Sequence, residues 1–143
     1  MWIVDASVAV KWVVEEPLRD VARDLLGQSE ELYAPDFVLV EVASALAIKA
    51  MRQEISLRQA IEGAKAIERF YDQLQPTQQL IQQAMKFAFA IEHPVYDCLY
   101  LACAEALTTV VVTADSRFDA KAKSNGFGHR IMSLVAVLPH QTS

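Results

Sequence analysis

Short apolar runs alternate along the chain with longer stretches in which apolar residues recur every three or four positions. Trp2 to Asp5 reads as a buried strand that ends on an acid, and residues 7–14 as a short helix stopping before Glu15, Glu16 and Pro17. Residues 19–28 set Val21, Ala22 and Leu25 on one face and close near Gly27, the pattern of a second helix. Residues 31–35 form a short strand. Asp36 is then the candidate N-cap of a long helix reaching Met51. Ser56 with Gln59 matches a capping box and opens a helix over residues 56–72, striped by Leu57, Ala60, Ile61, Ala64, Ile67 and Tyr71.

Residues 74–77 suggest another short strand, and Thr77 stands where it caps a helix running to Ile91. His93-Pro94 breaks that helix, and Tyr96–Leu107 forms the next. Residues 110–115 are a buried strand that again ends on an acid. Ser116 with Asp119 fits a second capping box, giving a helix over 116–124 before the Gly126/Gly128 turn, and a last strand lies near 130–135. Strands alternating with helices predict a mainly parallel sheet covered on both faces. In such sheets ligands sit beyond the carboxyl ends of the strands, where strand order reverses. Asp5 and Asp115 both close a strand, so both belong at that edge.

With 143 residues, 53% of them hydrophobic, the chain is expected to form a single domain over residues 1–143. No apolar run approaches the roughly 18 residues of a membrane span. The chain opens directly on a strand pattern without a basic leader, so a cytoplasmic protein is expected. The net charge of −5 argues against coating nucleic acid through a general positive field, which leaves only local contacts. Cys98 and Cys103 are five apart on a helix and face different ways; with no CxxC pair, a thiolate zinc site is not expected.

Four of the 18 carboxylates sit in apolar settings. Asp5 follows Trp2-Ile3-Val4, Asp115 follows Val110 to Ala114, Glu41 lies inside FVLVEVASAL, and Asp97 inside VYDCLYLA. Each has a plain structural reading by itself. Asp97 suits the first turn of a helix, Asp115 a turn, Asp5 a cap, and Glu41 a pairing with Lys49 or Arg52. Four charges placed independently beside core residues are a poorer account than one shared site. Carboxylates gathered without cations repel one another, so such a site needs a divalent ion, and an all-oxygen shell selects magnesium or manganese.

Four stretches, VDASVAVKW (residues 4–12), LVEVASAL (39–46), HPVYDCLYLACA (93–104) and VVTADSRF (111–118), together resemble the four motifs of the PIN domain. The branch is that of the VapC-like toxins of bacterial and archaeal toxin–antitoxin pairs. The resemblance spans nearly the whole chain and keeps the motif order. It implies a three-layer α/β/α fold around a parallel sheet of about five strands, and a homodimer held in check by a cognate antitoxin. It also implies an endoribonuclease that hydrolyses single-stranded regions of RNA with one or two magnesium or manganese ions. By motif, the metal-binding and catalytic acids are Asp5, Glu41, Asp97 and Asp115, with Ser7 and Thr113 as supporting hydroxyls. Many relatives carry Asn where this chain has Ser44. Asp119 lies near the fourth motif and also has its capping-box explanation.

Among basic residues, Lys11, Arg117 and Lys121 are the candidate RNA contacts, with Arg117 and Lys121 four apart on one helix face. Tyr96 and Phe118 flank the motifs and suit either base stacking or core packing. His93 reads as a structural or capping residue, and His129 and His140 carry no functional weight. The spare apolar faces of residues 56–72 and 78–91 agree with a homodimer. A hydrolase with an Asp nucleophile wants a second acid two residues after Asp5, where Ser7 stands, and no GxGxxG follows any strand. The remaining alternative is a catalytically idle PIN-like module that binds RNA or a protein partner.

Overall fold

The structure, a computed structural model, describes residues 1–137; His140 lies outside them. Five strands, β1 (Trp2–Val4), β2 (Leu32–Pro35), β3 (Gln73–Gln75), β4 (Val111–Thr113) and β5 (Ile131–Ser133), form one sheet in the order β3-β2-β1-β4-β5. Every pairing is parallel. The helices are α1 (Ala6–Ala9), α2 (Arg19–Leu26), α3 (Val38–Met51), α4 (Leu57–Ile67), α5 (Ile81–Ile91), α6 (Val95–Leu107) and α7 (Ser116–Ser124). Parallel crossovers are right-handed, so the connections running outward from β1 and those returning through β4 cover opposite faces. This is the expected three-layer α/β/α arrangement.

The core explains the layers. Ile3, Val4, Val111 and Val112 are wholly buried in the central strands. Val38, Val42 and Leu46 of α3 bury one face, and Cys98, Leu101 and Cys103 are wholly buried on α6. Each large aliphatic side chain so buried contributes about 1.5–3 kcal/mol relative to exposure. α3 packs on α4 and α5 on α6, with α6 also reaching β1, β2 and β4. Gly63 permits the first contact, because a Cβ there would come within 3.2 Å of Leu46 Cδ1 and 3.3 Å of Val13 Cγ2.

Most local signals act where the sequence put them, but not all; the helix expected over residues 7–14 is α1 followed by a 3-10 turn over Val10–Trp12. The Ser56/Gln59 capping box forms, but α4 ends at Ile67 and passes into a 3-10 turn over Glu68–Phe70. Asp36 does not cap α3; its carboxylate accepts from Thr77 N at 3.1 Å, while Thr77 Oγ1 accepts from Phe37 N at 2.8 Å. β2 and β3 are paired neighbours, so the turns that leave them lie side by side and tie to each other rather than to their own helices. The Ser116/Asp119 box is also replaced: Asp115 caps α7, accepting from Arg117 N and Phe118 N at 2.9 and 3.2 Å. Asp119 instead pairs with Lys123 at 3.0 Å.

The outermost strands are reached in opposite directions from the pair β1 and β4. That pair, in register through Ile3–Val111 and Val4–Val112, is the point at which strand order reverses. Asp5 and Asp115 follow its two carboxyl ends.

Candidate metal centre

Asp5 is the first residue beyond β1 and the cap of α1, its Oδ1 accepting from Val8 N at 3.3 Å. Only 2% of it is exposed. Ser7 Oγ donates to Oδ1 and Thr113 Oγ1 to Oδ2, each at 2.5 Å. Both hydroxyls are themselves fixed, since Ser7 Oγ accepts from Ala114 N at 2.8 Å and Thr113 Oγ1 from Asp115 N at 3.0 Å. Two adjacent strand ends are thus laced together around one carboxylate.

Burial is the dominant influence on Asp5 and pushes its pKa up to about 7; the hydroxyls of Ser7 and Thr113 oppose it, and the charge of Asp97 adds to it. Glu41 on α3 is half-buried and is raised first by burial and then by Asp97, against a hydrogen bond from Tyr100 Oη at 2.5 Å. Asp97, in the first turn of α6, is raised by burial, lowered by His93, and raised again by Asp115. Asp97 is therefore the acid whose field links the other three. Their carbon scaffolds come from β1, α3, α6 and β4, four elements that only the sheet order brings together.

No ion pair among the described residues involves Asp5, Glu41 or Asp115, and Asp97 pairs only with His93. Glu16 is the contrast. Burial raises it too, but Lys49 and Lys11 at 2.8 and 3.1 Å outweigh this and hold it below the ordinary range. The four acids have the all-oxygen donor chemistry of a magnesium or manganese site and lack the cation that such charges require. Among the described residues, no three His, Cys, Asp or Glu side chains already stand together as a cage. The donors fit a hard divalent ion by their chemistry.

Arg117 and Lys121 line a cleft of about 250 Å³ with Asp97, Asp115 and His93. Lys11 is not in that cleft; its ammonium is engaged by Glu16. Ser44 is exposed beside Glu41, in a second, more apolar cleft of about 380 Å³ that Tyr96 also lines. Tyr96 is 60% exposed, stacked at 5.6 Å and 10° on Phe37, so it is not the core residue it resembled, whereas Phe118 is wholly buried. Sequence reasoning gave Tyr100 no role and Tyr71 only a place in a helix stripe. Tyr100 supports Glu41, and Tyr71 Oη donates to Val4 O at 2.7 Å, directly before Asp5. The three-residue spacing of Asp97 and Tyr100 on one helix was the available signal for the first. No local pattern announces the second.

No curated protein matches the chain. Several solved structures share its fold, and two of them are PAE2754 and VapC20. PAE2754 from Pyrobaculum aerophilum superposes with a TM-score of 0.70 at 20% identity, over 96% of this chain and 85% of its own. VapC20 from Mycobacterium tuberculosis, a toxin that cleaves the sarcin–ricin loop, superposes with a TM-score of 0.66 at 18% identity, over 84% of this chain and 94% of its own. The PIN domain family model matches residues 2–124, from the first strand that leads into Asp5 to the end of the helix capped by Asp115. With that match spanning the sheet ends that carry the acids, the chain belongs to the PIN domain family.

Proposed function

We propose that the protein is a metal-dependent endoribonuclease that cleaves single-stranded regions of RNA, acting as the toxin of a toxin–antitoxin pair. The observation that carries this reading is Asp5: an almost wholly buried carboxylate, without a cation among the described residues, raised by the charge of Asp97, which also acts on Glu41 and is itself acted on by Asp115, at the point where strand order reverses. Asp5, Glu41, Asp97 and Asp115 hold a magnesium or manganese ion, and Ser7 and Thr113 orient Asp5. When bound there, the ion would lower the pKa of a water and offset the charge that builds on the scissile phosphate. Arg117 and Lys121, which line a cleft with Asp97 and Asp115, contact the RNA backbone in this reading.

The protein acts in the cytoplasm as a homodimer, and a cognate antitoxin blocks the cleft. Two helix faces support the dimer. Ile81, Met85 and Phe89 form an exposed stripe on α5, and Leu57 and Ile61 another on α4. No helix among the described residues is long and apolar enough to cross a membrane.

A catalytically idle module that binds RNA or a protein partner is the second reading, favoured by the fact that, among the described residues, no three ligand side chains already stand together. Purified protein incubated with a structured RNA in manganese or in EDTA separates the two. Manganese-dependent new 5′ ends in unpaired stretches support the nuclease. Retention of intact RNA by the protein, with no cleavage in either buffer, overturns it in favour of the binding module.

A further inference from the structure

His93 stands one turn before Asp97, and its Nε2 lies 2.5 Å from Asp97 Oδ2. The imidazole is held from its other side as well. It stacks on Phe118 with ring centroids 5.4 Å apart and planes at 16°, and its side chain is only 9% exposed. Phe118 is wholly buried on α7, the helix that Asp115 caps. The ring therefore bridges the helix carrying one candidate acid and the helix started by another.

The turn that carries His93 is pinned too. Its backbone N–H donates to Ala88 O at 3.1 Å, closing α5. Glu92 before it takes a left-handed conformation (φ 53°), and Lys121 Nζ from α7 donates to the Glu92 carbonyl at 3.2 Å. Ending α5 accounts for Pro94 but asks nothing of an imidazole. Among the described residues, His93 is the one hydrogen-bond partner of the Asp97 side chain, and it engages Oδ2 alone.

We propose that His93 is a positioning residue for the metal centre: with its proton on Nε2 it holds Asp97 Oδ2 and leaves Oδ1 of the same carboxylate for a divalent ion. The inference rests on the metal-dependent reading above. A carboxylate free to rotate loses side-chain entropy when it binds an ion, and one already held by a neighbour loses less. Hydrogen-bond partners of metal ligands work in this way, and removing one typically weakens metal binding about 10- to 100-fold. His93 acts through Asp97 and makes no contact with the phosphate.

Calorimetric titration of the full chain with Mn²⁺ tests this in the wild type, His93→Phe and His93→Gln. His93→Phe keeps a ring against Phe118 but has no donor, and should bind Mn²⁺ about 10- to 100-fold more weakly. His93→Gln restores an N–H donor and should recover most of the affinity. Equal affinity in the wild type and His93→Phe overturns the inference and leaves the metal reading standing. So does a loss in His93→Gln as large as in His93→Phe, because the ring and not the donor would then be what matters. No Mn²⁺ binding by the wild type overturns the metal reading and this inference with it. Nitrogen-15 histidine spectra of the wild type need no folded variant. A protonated, hydrogen-bonded Nε2 in the presence and absence of Mg²⁺ supports the assignment, and an unprotonated Nε2 overturns it.

Discussion

Thr113 Oγ1 donates a 2.5 Å hydrogen bond to Asp5 Oδ2 across 108 residues of sequence, joining the ends of two adjacent parallel strands. With Ser7 on the other oxygen, both lone-pair faces of a buried carboxylate are met by neutral hydroxyls and none by a cation. Neutral donors lessen the cost of burying a charge without cancelling it. The pair thus explains how Asp5 is tolerated inside the sheet and why it still calls for a cation.

Thr113→Val keeps the shape of the side chain and removes the donor. It leaves Asp5 Oδ2 without its hydrogen-bond donor in an almost wholly buried site and strips Asp115 N of its acceptor. At pH 8 the variant should be less stable by about 1–3 kcal/mol in urea unfolding. An unchanged midpoint would show that the hydroxyl does not support Asp5.

Asp5 also sets a pH dependence. Below its ordinary pKa of 3.8 the carboxyl is protonated in both folded and unfolded chains, and nothing is lost. As pH rises from there to about 7, the unfolded chain releases a proton that the folded chain keeps, so stability falls across this window. Above it the loss is complete, on the order of 4 kcal/mol. Asp5→Asn lacks the group and should gain on the wild type between pH 4 and pH 8, as followed by denaturant melts. Manganese at a hundredfold excess over its dissociation constant should restore about 2.7 kcal/mol to the wild type at pH 8 and less to the variant. A wild type that holds its ground against Asp5→Asn at both pH values contradicts the buried-carboxylate account.

Cleavage should need a divalent ion and no thiol. Cys98 and Cys103 are wholly buried, and burial pushes both thiols up to about 12, helped at Cys98 by the charge of Asp97. Neither forms a thiolate near neutral pH. Cys98→Ala and Cys103→Ala should cut RNA within about twofold of wild type after losing about 1 kcal/mol of stability, while EDTA should stop cleavage. Full-rate cleavage in EDTA would remove the metal from the mechanism.

Assembly has its own test. Phe89 is 90% exposed at the end of the α5 stripe, an unusual cost for a monomer surface. Sedimentation should show a dimer, and Phe89→Glu should weaken it by about 2 kcal/mol or more, as loss of an interface anchor does, with an unchanged melting temperature for the monomer. A monomeric wild type at high concentration, free of antitoxin, would end the dimer proposal.

Much of the architecture was legible. Ile3-Val4 and Val111-Val112 are apolar on both faces, which only a covered parallel strand satisfies, and the acids that follow them stood out against that background. Ser56 and Gln59 cap α4 as read, because a capping box spans three residues and needs nothing from elsewhere. Asp36 and Thr77 fit the same kind of rule and obey another, since pairing of β2 with β3 supplies each with a partner about 40 residues away. Lys11 was free on paper and is engaged by Glu16, while Tyr96 was apolar enough for the core and lies on the surface.

By itself the sequence determined which segments become strands and helices, and which carboxylates lack a ready cation, because periodicity and composition act over a few residues. Only the tertiary structure decided that Asp5 meets Thr113, that Tyr100 meets Glu41, and that His93 is clasped between Asp97 and Phe118. Those meetings depend on the sheet order β3-β2-β1-β4-β5. That order is set by burying every strand and helix face at once, a long-range condition that no local stretch of residues encodes.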